Sequence, residues 1–142
     1  MKPALFFSAL LLSLAAHAQQ ADHKLVGTWK ITAVLDSQDT TSLSNEDAAK
    51  LVGKTLLIES QHVRFDDADC KNASFKVARH RFYSYFIKQY NFEPKHLPLP
   101  DYVQEVTVEC ASPVGINFIY LRDRNQIVLF WEGFFLNAAR QK

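Results

Sequence analysis

The apolar residues of this chain come in short runs, and within several of these runs they alternate with polar residues. In the first such run every second residue is apolar or small, namely Leu25, Gly27, Trp29, Ile31, Ala33 and Leu35. A period of two is typical of a β-strand that buries one face and exposes the other. The pattern predicts a strand over residues 25–36 and a fold built mainly from strands.

The remaining runs predict more strands and one short helix. Strands are expected over residues 55–59, 62–66, 102–110, 116–121, 127–131 and 134–138. We also interpret the aromatic-rich segment 74–92 as strand-like and the proline-containing segment 94–100 as an extended loop. Ser44 followed by Asp47 is typical of a helix N-cap, and it predicts a helix over residues 45–51 that Gly53 ends.

This series of elements predicts an all-β fold. About seven to nine short strands with one helix near residues 45–51 are typical of an antiparallel barrel or sandwich, and we favour a single barrel. Two of the strands, 117–121 and 127–131, are apolar on both faces. One face can fill the barrel, so the other needs cover from the short helix or from a partner chain.

Residues 1–18 have the pattern of an export signal. A positively charged start is followed by an apolar run over residues 4–16, and Ala16-His17-Ala18 supplies the small residues that a signal peptidase requires. A retained membrane anchor is the alternative, but this run would reach only about 20 Å as a helix, against a hydrocarbon core of roughly 30 Å. We expect cleavage after Ala18 and a periplasmic or secreted protein with one domain, residues 19–142.

The charge balance excludes partners that bind through a global electric field. The chain has 142 residues with 16 Lys and Arg against 15 Asp and Glu, so its net charge is close to zero. Nucleic acids and anionic membranes attract proteins mainly through excess positive charge. The chain has only 4 glycines, which argues against a glycine-rich phosphate loop. We expect no nucleic-acid partner, no stable membrane insertion and no cofactor.

Cys70 and Cys110 are the two cysteines of the chain. Two cysteines in an exported protein usually form a disulfide bond, and this one would close a loop of about 40 residues. Such a bond would stabilise the fold by about 4 kcal/mol in the chain-entropy model. A reactive thiol or a metal ligand is the alternative, but the chain has no C-x-x-C motif.

Catalytic and metal-binding motifs are not evident. His62, Asp67 and Asp69 are a conceivable metal site, although a solvated acidic turn is the favoured interpretation. Glu105 and Glu109 lie four residues apart on a strand, hence about 13 Å apart, which is too far for a direct acid–base pair. The serine motifs G-x-S-x-G and S-x-x-K are absent. We predict no catalytic or metal-binding residues, and a weak hydrolase is the third-ranked interpretation.

The candidate ligand-binding residues follow from charge and aromaticity. Arg79 and Arg81 would share one strand face with Tyr83 and Tyr85, and a guanidinium pair beside aromatic rings can hold a carboxylate, a phosphate or a glycan. The alternative is a solvated strand face beside core aromatics. The barrel interior, which would accept the rest of the ligand, is expected to include Trp29, Phe82, Tyr85, Phe118 and Trp131.

Gly27-Thr28-Trp29, at the start of the first strand, resembles the G-x-W motif of lipocalins and related calycin barrels. The resemblance implies a barrel in which this tryptophan closes one end and an arginine near the last strand packs on it. Arg140 stands at the matching place, with Arg122 and Arg124 as alternatives. The chain is also similar to small periplasmic proteins of lipocalin-like fold.

These observations lead to two expectations for function. The first is a non-enzymatic periplasmic binding protein, monomeric or homodimeric, whose barrel takes a small apolar or amphipathic ligand that can carry an anionic group. The second is a protein–protein module, such as an inhibitor of a secreted hydrolase or an envelope-assembly factor, with the stiff loop 94–100 as its probe. An empty aromatic-lined cavity would favour the first, and a filled barrel with an exposed apolar loop tip would favour the second.

Overall fold

The computed structural model describes residues 19–142, so the predicted signal peptide, residues 1–18, lies outside the described residues. The described chain contains two helices, α1 (Asn45–Ala49) and α2 (Phe82–Tyr90). Its nine strands are β1 (Gly27–Ser37), β2 (Thr55–Ile58), β3 (Val63–Phe65), β4 (Ala68–Cys70), β5 (Ser74–Arg81), β6 (Tyr102–Glu109), β7 (Phe118–Leu121), β8 (Gln126–Trp131) and β9 (Phe134–Arg140).

All nine strands form one curled antiparallel sheet, a half-barrel, in the order β4-β3-β2-β1-β9-β8-β7-β6-β5. Pairing of β1 with β9 joins two meanders, and the two edge strands are β4 and β5. The all-β expectation and the two predicted hairpins are therefore confirmed. Within residues 19–142, no helix is long and apolar enough to cross a membrane.

The main core lies inside the curl, because each of the nine strands contributes a buried residue to it. Trp29, Phe75 and Phe134 are its largest fully buried side chains. Helix α1 adds Ala48 to this core. The predicted capping box is confirmed, since Ser44 and Asp47 hydrogen-bond to each other's backbone N–H groups.

A second core covers the outer face of the sheet and corrects the prediction for segment 74–92. Residues from Phe82 onward form helix α2 instead of continuing the strand. Phe82, Phe86 and Tyr90 recur every four residues, so they form one helical stripe that packs against the sheet. Asn91 then ends the helix with a positive φ of 48°. The cover that β7 and β8 need is therefore this unpredicted helix and not α1.

Strand β1 also departs from a single buried face. Its pairing with β9 shifts register between Ile31 and Ala33 and again between Val34 and Asp36. A β-bulge inserts an extra residue and so changes which face the following side chains meet. Leu35 consequently packs in the outer core, whereas the sequence had placed it on the same face as Trp29.

The disulfide joins the two ends of the sheet. Cys70 ends β4 and Cys110 follows β6, and their Sγ atoms are 2.13 Å apart, which confirms the predicted pair. The N-terminal segment spans the same gap. The Ala21 N–H donates to the Ser60 carbonyl, and the Phe75 N–H donates to the Gln19 carbonyl.

Trp29 and Arg140 close one end of the curl. The Trp29 ring is fully buried, its Nε1–H donates to the Leu25 carbonyl at 2.9 Å, and Arg140 Cζ lies 4.2 Å from the ring centre. Gly27 lets the guanidinium approach, since a Cβ there would lie 2.7 Å from Arg140 Nη1. The expected arginine partner is therefore Arg140, not Arg122 or Arg124.

We expect Trp29→Ala to lower the free energy of unfolding by about 3–5 kcal/mol, because it leaves a large cavity in a packed core. Urea unfolding followed by circular dichroism measures the loss. Val52→Ala is the control, since Val52 is 44% exposed and its truncation should cost little. A loss below about 1 kcal/mol for Trp29→Ala would contradict its role in closing the curl.

Candidate anion-binding groove

A groove of about 700 Å³ opens beside Arg140, at the turn between β7 and β8. We call it the basic groove. It is lined by His23, Lys24, Gln104, Leu121, Arg122, Asp123, Arg124, Asn125 and Arg140. These residues come from the segment before β1, from β6, from the β7–β8 turn and from β9, so the curl of the sheet assembles the groove from distant parts of the sequence.

The groove has an excess of positive charge. Four of its side chains are basic (Lys24, Arg122, Arg124 and Arg140) and one carries a carboxylate (Asp123). Among residues 19–142, no arginine lies within salt-bridge distance of a carboxylate. The guanidinium charges in the groove are therefore available to a ligand that brings its own negative charge.

Hydrogen bonds hold two of these arginines in place without neutralising them. Arg122 Nη1 donates to Gln126 Oε1 at 2.8 Å and to Asn137 Oδ1 at 3.2 Å, and Asn137 is itself buried. Arg140 donates only to backbone carbonyls, those of Lys24, Val26 and Arg124. A guanidinium has five N–H donors, so both side chains retain donors for a ligand.

A second basic surface adjoins the groove along the sheet. Arg79 pairs across β5 and β6 with Gln104, which lines the groove, and Arg81 pairs with Tyr102. Arg79 Cζ lies 5.3 Å and Arg81 Cζ 5.9 Å from the centre of the Tyr102 ring. These three side chains, which we call the arginine–tyrosine patch, line a shallow and open depression of the surface.

The structure separates the predicted ligand-binding residues. Arg79 and Arg81 share a face as expected, but Tyr83 and Tyr85 lie on helix α2 because the strand ends at Arg81. Trp131 packs against the core inside the curl. The aromatic partner of the two arginines is Tyr102, which the sequence prediction missed. Tyr102 and Gln104 are two residues apart on β6 and therefore share one face of the strand, so only the pairing of β6 with β5 brings Tyr102 to the arginines.

The predicted aromatic lining of the interior is wrong as a set. Trp29 and Trp131 pack in the inner core, whereas Phe82 and Tyr85 from α2 and Phe118 from β7 pack in the outer core. The five rings therefore lie on two sides of the sheet. The proline loop is also docked, since Leu97 is buried in the outer core with Leu99 packed against it.

A buried carboxylate with tyrosine partners lies between α2 and the sheet. Glu105 is 6% exposed, and its Oε2 accepts from Tyr85 Oη at 2.6 Å and from Tyr120 Oη at 2.8 Å. Because Tyr120 donates to Glu105, its oxygen accepts from the Tyr90 hydroxyl. His80 stacks on Tyr85 with ring centres 3.6 Å apart, and its Nε2 lies 3.5 Å from Glu105 Oε1.

The surroundings of these three tyrosines raise the pKa of each of them. Burial is the main cause that raises the pKa of Tyr85, Tyr90 and Tyr120 above the ordinary value of 10, since it penalises the phenolate. The negative charge of Glu105 raises all three pKa values further. The phenols therefore remain neutral donors, as the buried carboxylate requires.

The alternative of a metal site at His62, Asp67 and Asp69 finds no support among the described residues. His62 Nδ1 contacts Glu59 Oε2 at 2.7 Å and its Nε2 contacts Asp69, so two carboxylates already occupy the ring nitrogens. The carboxylates of Asp69, first, and Glu59, second, accept hydrogen bonds from the imidazole and so raise the pKa of His62. In the described part of the chain, no group of three or more His, Cys, Asp or Glu side chains is arranged to hold a metal ion.

Comparison of the chain with protein-family models, with curated proteins and with solved structures found no match.

We expect Tyr120→Phe to lower the free energy of unfolding at pH 8 by about 1–3 kcal/mol, because Glu105 loses a donor and Tyr90 loses its acceptor. Urea unfolding measures this loss. Tyr102→Phe is the matched control, since Tyr102 is 53% exposed. Equal losses in the two variants would contradict a stabilising role for the network.

The same network predicts a dependence on alkaline pH. A tyrosine whose pKa is raised by folding stabilises the folded state fully at pH values below its unfolded pKa of about 10. This stabilisation is lost progressively as the pH rises above about 10. At pH 10.5, Tyr90 and Tyr120 should each reduce the stability of the wild type by about 0.8 kcal/mol relative to pH 8. Tyr120→Phe should show a shallower decline, and an unchanged decline would contradict the raised pKa of Tyr120.

Proposed function

We propose that the protein is an exported, non-enzymatic binding protein whose basic groove holds the anionic group of a small amphipathic ligand. One observation carries the proposal: four cationic side chains line the groove against a single carboxylate, and its arginines lack carboxylate partners in residues 19–142. Carboxylates elsewhere bring the net charge of the chain close to zero, so the attraction of an anion to the groove is local.

The packing favours the groove over the barrel interior as the ligand site. Trp29, Phe75 and Phe134 are fully buried within the inner core and fill the curl. A densely packed interior offers no volume to an apolar ligand without displacing these side chains. The groove is already open, and Leu121 gives it an apolar contact beside the cations. The carrier hypothesis is therefore kept, with its site moved from the barrel interior to the basic groove.

The arginines select the chemistry of the anion. A guanidinium presents paired N–H donors that match the oxygens of a carboxylate, a phosphate or a sulfate. Arg124 is exposed, and Arg122 is held by Gln126 and Asn137. An exposed guanidinium beside one that is held in place suits a ligand whose head group must be bound while its tail varies.

Two features support export and a lipocalin-like relationship. The Cys70–Cys110 bond is of a kind that persists in oxidising compartments, which fits the predicted periplasmic or secreted location. The contact of Arg140 with Trp29 has the arrangement that the resemblance to lipocalins implies. Against an enzyme, the buried carboxylate of Glu105 already accepts two phenolic hydrogen bonds under α2 and is not open to a substrate.

Native mass spectrometry of the protein purified from the periplasm of an expressing cell, without added ligand, tests the carrier hypothesis directly. We expect the disulfide-bonded chain of residues 19–142 together with an adduct of a few hundred daltons that solvent extraction releases as an anion. A chain that never carries an adduct would count against a tightly held cargo and shift attention to protein partners.

Titration with octyl phosphate by isothermal calorimetry tests the groove itself. We expect Arg124→Ala to weaken binding roughly tenfold, the equivalent of one charge-assisted contact. Lys88→Ala is the matched control, since it removes an exposed cation from α2, outside the groove. Octyl glucoside, with the same tail and no charge, should bind much more weakly. Equal affinities for both amphiphiles would contradict the proposal.

A further inference from the structure

Strand β5 is a long, open edge of the sheet. It runs for 8 residues, whereas the opposite edge strand β4 has 3 and is tied down by the disulfide. Residues 76–79 and Arg81 are exposed, and β5 has neither a proline nor a register shift in its pairing with β6. An edge of this length without bulges presents a regular row of backbone groups to a neighbouring strand.

The backbone groups of every second residue point away from the sheet. The Phe75 N–H donates to Gln19 and not to β6, which fixes the alternation. Val77, Arg79 and Arg81 have the same orientation, because antiparallel pairing repeats every two residues. Within the described chain these three N–H groups donate to no other backbone carbonyl. Gln19 thus already pairs with the first position of this edge and leaves the N–H groups of the next three without a backbone acceptor. Of their carbonyls, that of Arg81 already accepts from the Ser84 hydroxyl at 3.4 Å.

The side chains of the open residues define the charge of a partner. Arg79 and Arg81 flank the Tyr102 ring, and Val77 beside them is 45% exposed. A second copy of the chain is disfavoured as the partner of this edge. Two β5 strands paired antiparallel about Arg79 would place Arg79 directly opposite its own copy, and each Arg81 would lie diagonal to that residue of the other copy. Like charges directly opposite each other destabilise a pair of strands.

We propose that the β5 edge binds an extended acidic segment of a partner protein as an added antiparallel strand. Residues directly opposite each other on paired strands interact most strongly. The segment would place carboxylates opposite Arg81 and Arg79 and an apolar side chain opposite Val77, which reads acidic-x-acidic-x-apolar along its chain. The span from Val77 to Arg81 is about 13 Å, so roughly five to seven residues suffice. The inference is independent of the basic groove.

Fluorescence anisotropy with a labelled seven-residue peptide tests it, with Glu at positions 2 and 4, Val at position 6 and Thr elsewhere. The protein variant Val77→Pro removes one outward N–H and leaves the β5–β6 ladder intact, and Val77→Ala is its matched control. We expect Val77→Pro to weaken binding at least tenfold and Val77→Ala to have a small effect. Arg124→Ala, in the basic groove, should leave peptide affinity unchanged.

Two further measurements keep the test independent of how well Val77→Pro folds. A peptide that is N-methylated at its Glu and Val residues should lose binding to the wild-type protein, because the methyl groups remove the donors that face β5. Hydrogen exchange by NMR should slow at Val77, Arg79 and Arg81 when the unmodified peptide binds.

Three results would overturn the inference. Absence of peptide binding at millimolar concentration would exclude the acidic segment. Binding that survives both Val77→Pro and N-methylation would show attraction between charges without strand pairing. A concentration-dependent dimer in analytical ultracentrifugation that Val77→Pro abolishes would assign the edge to a second copy of the chain.

Discussion

The packing of helix α2 on the outer face of the sheet is the interaction on which the rest of this structure depends. Strands β7 and β8 are apolar on both faces, and the inner core can bury only one of them. Phe86 is fully buried against Tyr120 and Phe135, so the helix removes the second face from water. A partner chain is therefore not needed to cover this face of the sheet.

Covering the sheet with an aromatic helix explains why a carboxylate can be buried there. Glu105 points from β6 towards α2, where an unpaired charge would be very costly. The helix brings Tyr85 as a donor, the sheet brings Tyr120, and Tyr90 supports Tyr120 in turn. The polar network thus fixes the position of the helix on the sheet, because a shifted helix would leave these groups without partners.

Much of the fold could be predicted from local patterns, but the site could not. The apolar runs predicted every strand except β4, which lies where an acidic turn was expected, and the resemblance led to the contact of Arg140 with Trp29. The helix was missed because aromatic residues favour strands, although the recurrence of Phe82, Phe86 and Tyr90 every four residues is typical of a helix. The groove draws residues from four separate segments, so only the strand order brings them together.

The distribution of ion pairs explains how a nearly neutral chain produces two basic surfaces. Four ion pairs use a lysine, with Asp47, Asp66, Glu93 and Glu109 as the carboxylate partners. The arginines of residues 19–142 form none. Pairing carboxylates with lysines elsewhere leaves the guanidinium groups of the basic groove and of the arginine–tyrosine patch unneutralised. Guanidinium is also the cation better suited to bidentate recognition of anions. The two proposed ligands would therefore be recognised by different groups. A small-molecule anion would use the side-chain donors of the basic groove. An acidic strand would also use the direction and spacing of the backbone groups of β5.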